Sequence, residues 1–87
     1  MVSSSQIKAA RAMLGWSAIE LSERSGVSSA SIKRYEIQDG IPSANTNVLQ
    51  KIKSVLESSG IQFTGDPLVN PGVTLDLNKR EAALGRQ

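Results

Sequence analysis

The chain has 87 residues, ten Lys and Arg against eight Asp and Glu, and neither cysteine nor histidine. That length holds one compact domain with a thin core, and the missing residue types exclude disulfides, thiolate and imidazole metal ligands, thiol nucleophiles and the usual general base near neutral pH. A second subunit is the expected supplement to such a core; enzyme activity and cofactors are not expected.

The net charge of +2 is too small to establish a polyanionic partner by itself. Its distribution says more: residues 1–60 carry seven basic and five acidic side chains, residues 61–87 three of each. No apolar run approaches the ~20 residues that cross a bilayer, and MVSSSQIKAAR lacks the apolar stretch of a signal peptide, so a soluble cytoplasmic protein is expected.

Between Gln6 and Leu14, Ile7, Ala10, Met13 and Leu14 recur at three and four residues, which predicts an amphipathic helix capped by Ser5 and ended by Gly15. Ser17-Ala18-Ile19-Glu20 has capping-box spacing and starts a second helix that stops near Ser25-Gly26. Ser28 caps a third, from about Ser29 to Glu36, which buries Ile32 and Tyr35 and leaves Lys33 and Arg34 wet. Asp39-Gly40-Ile41-Pro42 breaks it. Asn45 or Thr46 then caps a longer helix whose stripe is Val48, Leu49, Ile52, Val55 and Leu56, and Gly60 ends it.

After Gly60 the period changes from helical to alternating. Ile61-Gln62-Phe63-Thr64 and Val73-Thr74-Leu75-Asp76-Leu77 read as strands, separated by the turn residues Gly65-Asp66-Pro67 and Asn70-Pro71-Gly72. Asn78 to Gln87 reads equally as a frayed helical turn or as disorder. The predicted fold is mainly α: a domain of four to five helices over residues 1–60, then a C-terminal β extension and tail over residues 61–87, paired either as a hairpin or between subunits. Two strands alone are marginal, so they lie on the helices, pair with another chain, or both; pairing between subunits is favoured, and Val73, Leu75 and Leu77, with Ile61 and Phe63 beneath, are the candidate dimerisation face.

Two short helices joined by a turn containing glycine describe a helix-turn-helix. Gly26 permits the sharp bend; Leu21, Val27 and Ile32 can fill the angle; Ser29, Ala30 and Ser31 keep the start of the next helix free of bulk. A structural corner between two helices uses the same glycine and spacing. The likeness extends further, through Ile7-Lys8-Ala9-Ala10-Arg11, Leu14-Gly15-Trp16-Ser17, Glu20-Leu21-Ser22-Glu23-Arg24-Ser25-Gly26-Val27-Ser28, Ser31-Ile32-Lys33-Arg34-Tyr35-Glu36, Pro42-Ser43 and Leu49-Gln50-Lys51-Ile52. Over residues 6–57 the chain resembles the Cro and phage-repressor helix-turn-helix family, also called the xenobiotic-response-element family.

The resemblance implies a dimeric DNA-binding regulator, most simply a repressor of an inverted-repeat operator that can act on its own promoter, as in the switches of phages and mobile genetic elements. It assigns base contacts to Ser28, Ser29, Ala30, Lys33 and Arg34, with Lys33 or Arg34 bonding guanine and Ala30 meeting a thymine methyl. Phosphate contacts fall to Ser17 and the first amides of its helix, including Ala18, and to Ser31, Ser43 and Lys51. Arg11 and Glu36 fall where relatives place a structural ion pair. The chain departs from the family at Ala18, where glutamine is usual, and at Ile37-Gln38, where a glycine is displaced to Gly40. Trp16 and Tyr35 read as core or core-edge residues rather than stacking platforms. A competing expectation is a protein-binding module, an antitoxin or anti-activator that meets a protein partner or a competing regulator through its C-terminal strand.

Overall fold

A computed structural model describes residues 1–78. Four helices, α1 (Ser4–Leu14), α2 (Ala18–Ser25), α3 (Ser29–Glu36) and α4 (Thr46–Ser58), precede two strands, β1 (Ile61–Thr64) and β2 (Gly72–Leu75). The fold is therefore mainly α with a short C-terminal hairpin. The helical turn expected from Asn78 to Gln87 lies outside the described residues, apart from Asn78 itself.

Caps set the helix bounds. α1 begins earlier than expected because Ser3, not Ser5, is its N-cap: Ser3 Oγ accepts from the Gln6 N–H at 3.2 Å and Gln6 Oε1 accepts from the Ser3 N–H at 2.9 Å. That reciprocal box satisfies two donors, where a cap at Ser5 would satisfy one. At Ser17 only half of the expected box forms. Ser17 Oγ accepts from the Glu20 N–H at 3.0 Å, while the Glu20 carboxylate takes a 2.7 Å hydrogen bond from Arg24 one turn further on. Of the two candidates before α4, Asn45 is the cap, accepting from the Asn47 N–H at 2.7 Å.

The helices enclose one core. Ile7, Ala10 and Leu14 from α1, Leu21 from α2, Val27 from the turn, Ile32 and Tyr35 from α3, and Leu49, Ile52 and Leu56 from α4 are all buried. Full burial of each large side chain contributes about 1.5–3 kcal/mol. Val48 and Val55, on the flank of the α4 stripe, are only partly covered.

Gly26 makes the bend between α2 and α3. Its φ of 77° is left-handed, and its N–H closes α2 by donating to the Ser22 carbonyl at 2.9 Å. A Cβ there would meet no atom within 4 Å, so backbone conformation alone opposes a side chain. Gly26→Ala is expected to cost about 1–2 kcal/mol in urea unfolding, and Gly26→Asn less, since asparagine tolerates this region. A larger loss would mean that packing, not φ, selects glycine.

The strands pair with each other within the chain, antiparallel, with Ile61 opposite Leu75 and Phe63 opposite Val73. The hairpin therefore forms within the chain. Ile61 joins the buried core, and Phe63, Val73 and Leu75 pack against it half-buried. β2 starts at Gly72 and stops short of the expected Leu77, because Asp76 Oδ1 accepts from the Asn78 N–H at 3.0 Å and turns the chain. Leu77 lies beyond the strand, exposed.

Candidate nucleic-acid interface

α3 is gripped along one side. Ile32 and Tyr35 are buried, and Ser28 caps the helix by accepting from the Ser31 N–H at 3.2 Å. The opposite side is left outward: Ser28, Ala30, Lys33 and Arg34 are exposed, and Ser29 and Ser31 are partly so. Ala30, Lys33 and Arg34 stand at i, i+3 and i+4 and so share one face. The Arg34 guanidinium lies 5.3 Å from the centroid of the Tyr35 ring, a contact that narrows its rotamer choice. Ser28 Oγ donates to Ser31 Oγ at 2.9 Å, which ties those two hydroxyls together.

The start of α2 offers a second kind of contact. With the Glu20 carboxylate turned to Arg24, the N–H groups of Ser17, Ala18 and Ile19 have no hydrogen-bond partner among the described residues. Three free amides at a helix N-terminus suit an anionic oxygen. Ala18 gives only its backbone there, its methyl being buried. Arg24, bonded to Glu20, also lies 4.5 Å over the half-buried Trp16 ring, so it is held against α2.

Ser43 is exposed in the connection after α3, its N–H donating to Gln38 Oε1 at 2.8 Å. Lys51 is exposed on α4 and, with Asn47, Gln50, Ser54 and Val55, lines an open groove of about 550 Å³ that reaches Ser25 beside the turn. Ile61, Phe63, Val73 and Leu75 face their own helices, leaving only Leu77 of the candidate dimerisation side chains fully outward.

One guanidinium holds the segments in register. Arg11 Nε and Nη2 donate to the two Glu36 oxygens at 2.9 and 2.8 Å, and Nη1 donates to the Trp16 carbonyl at 2.9 Å. Arg11 thus ties the end of α1 to the end of α3 and to the link just before Ser17. The hydrogen bond to Glu36 raises the Arg11 pKa above its ordinary value, burial opposes this, and the Glu36 charge adds to the rise. A raised folded pKa stabilises below the unfolded pKa and is lost only as pH rises through the folded one, so deprotonation of Arg11 does not weaken the pair at any pH short of the arginine range.

Two side chains escaped the sequence reading. Gln6 is buried and bonds Ser3, Thr64 and Gly72; Gln38 braces Ser43. The Ser3-x-x-Gln6 spacing signals the first of these as a cap, though not its reach to the hairpin.

Two short helices crossing at a glycine bend, with the second helix held by its inner side and polar outside, define a helix-turn-helix DNA-binding domain. Residues 7–59 match the helix-turn-helix family, and the chain belongs to it, in its Cro/C1 type. This is a family of DNA-binding domains of transcription regulators, not of enzymes. No curated protein matches the chain at a significant level. Among the described residues no helix is long and apolar enough to cross a membrane.

Proposed function

We propose that the protein is a dimeric repressor that binds an inverted-repeat operator and excludes polymerase from the promoter, its own included. The reading is carried by the exposed face of α3, which sets two cations and three small side chains opposite a buried apolar side. Ser28, Ser29, Ala30, Lys33 and Arg34 meet base edges; the amides at Ser17 and Ala18, with Ser31, Ser43 and Lys51, meet phosphates.

Dimerisation uses the hairpin backbone more than its side chains. The Asp76 N–H donates to the Gly60 carbonyl at 2.9 Å, which fixes the ladder phase and points the N–H and C=O groups of Ile61, Phe63, Val73 and Leu75 away from the partner strand. None of these groups has a hydrogen-bond partner among the described residues, so a second copy can extend the sheet. In sedimentation the free protein should run at twice the chain mass. In gel shifts it should prefer an inverted repeat whose half-sites lie about one helical turn apart over either half alone. A monomer that binds half-sites as tightly as the repeat would refute the dimeric reading.

A protein-binding module on the same scaffold is favoured by one observation, the exposed Leu68 and Val69 at the hairpin tip. In that case Lys33 and Arg34 would be dispensable for regulation and the tip would not.

A further inference from the structure

The connection between α3 and α4, residues 37–45, follows directly on the helix proposed to read bases, and it carries Ser43. Its sequence holds no Lys or Arg, and its glycine stands at position 40. Ile37, at its start, is exposed. The path of the connection is set by contacts from elsewhere.

Two of these converge on Gly40. Its carbonyl accepts from the Ser4 N–H at 2.8 Å, using an amide that the first turn of α1 would otherwise leave unpaired. From the hairpin tip, Leu68 lies beside the same residue: a Cβ at Gly40 would come within 3.2 Å of Leu68 Cδ2, and Gly40 holds φ +67°. The solvent-exposed hydrogen bond from the Ser43 N–H to Gln38 Oε1, 2.8 Å long, then carries the placement of the connection to Ser43.

What fixes the hairpin tip against Gly40 is Gln6, 3% exposed. Its Oε1 is taken by Ser3, and its Nε2 donates to the Thr64 carbonyl at 3.3 Å and the Gly72 carbonyl at 3.0 Å. Those are the last paired residues of the ladder, from which residues 65–71 spring. The loop above is stiff: Asp66 Oδ1 accepts from the Leu68 N–H at 2.8 Å, and Asn70 Oδ1 from the Asp66 N–H at 2.7 Å. A rigid loop clamped at its base delivers Leu68 to one place.

We propose that Gln6 and Leu68 are positioning residues for DNA contact: Gln6 clamps the hairpin to the first turn of α1, and the clamped tip holds Gly40 so that the Ser43 hydroxyl meets a DNA phosphate. The inference rests on the DNA-binding reading above. It gives the hairpin a part in the interface separate from any dimer contact.

The test uses the full chain and a duplex enriched from a random pool by the wild-type protein, with single phosphates replaced by neutral methylphosphonate. Ser43→Ala identifies the phosphate concerned, as the one whose replacement costs wild type about tenfold and the variant almost nothing. In Leu68→Ala, whose exposed side chain is not needed to fold, and in Gln6→Leu, the penalty at that phosphate should fall below about twofold, with penalties near Ser17 unchanged. A full penalty retained in Leu68→Ala overturns the proposal, whether or not Gln6→Leu folds. So does a uniform loss at every phosphate, which marks a general structural effect, or a Ser43→Ala protein that alters none. Should wild type enrich no duplex at all, the DNA-binding reading fails first, a distinct result.

Discussion

Arg34→Ala is expected to weaken operator binding by about 1–3 kcal/mol per half-site and to relax preference at a single base position. Arg34 stands on the outward face of α3, rests on the Tyr35 ring, and has no carboxylate partner among the described residues. A guanidinium so placed can give two parallel hydrogen bonds to guanine, a pairing that lysine cannot reproduce. Lys33→Ala should act at a neighbouring base. Its loss is expected to weaken operator binding by about 1–3 kcal/mol and to relax preference at a second base position, an ammonium bonding as a point charge rather than as a fork. Measured in gel shifts across a salt series, the double variant should lose specific binding. Binding and repression that survive both changes would sink the assignment of α3 as the reading helix.

The second large effect concerns stability. Glu36→Ala is expected to destabilise the fold by about 3 kcal/mol, because it strands the Arg11 guanidinium in a site built around a carboxylate. The side chains of Arg11 and Glu36 are 21% and 7% exposed, so solvent recovers little of the lost pairing. For a domain of this size that loss lowers Tm by roughly 10–20 °C. Arg11→Met together with Glu36→Leu should recover much of it, since no charge is then left unpaired. Recovery should be incomplete, because the Trp16 carbonyl loses its 2.9 Å donor as well. If Glu36→Ala unfolds at the wild-type temperature in calorimetry, the pair is not a structural fastener. The double variant should also bind DNA more weakly than its stability implies, because Arg11 aligns the link before Ser17 with the end of α3.

The helices were legible in the sequence because each carries its own start, stripe and stop within a dozen residues. Ser28, Ile32, Tyr35 and Gly26 together say which side of α3 faces in, and hence that Lys33 and Arg34 face out. What stayed hidden was choice among equals. Ser3 and Ser5 are both good caps, and only the buried Gln6 decides for Ser3. Glu20 had two partners in reach, and the charged Arg24 won over the Ser17 amide. The clamp from Gln6 to Thr64 and Gly72 spans 58 and 66 residues of sequence, and no local pattern announces a contact of that range. Within the strands, alternation identified the apolar face, but not that this face would turn toward its own helices. Leu77 was misplaced because an Asp-initiated turn at Asp76 ends the strand before the alternation does.

A two-stranded ribbon whose long sides both carry free amides and carbonyls can accept a neighbour on either flank. Symmetric association through one flank uses up that side of each molecule and leaves the opposite sides bare, so the same surface that makes a pair can also start a chain of subunits without a natural end.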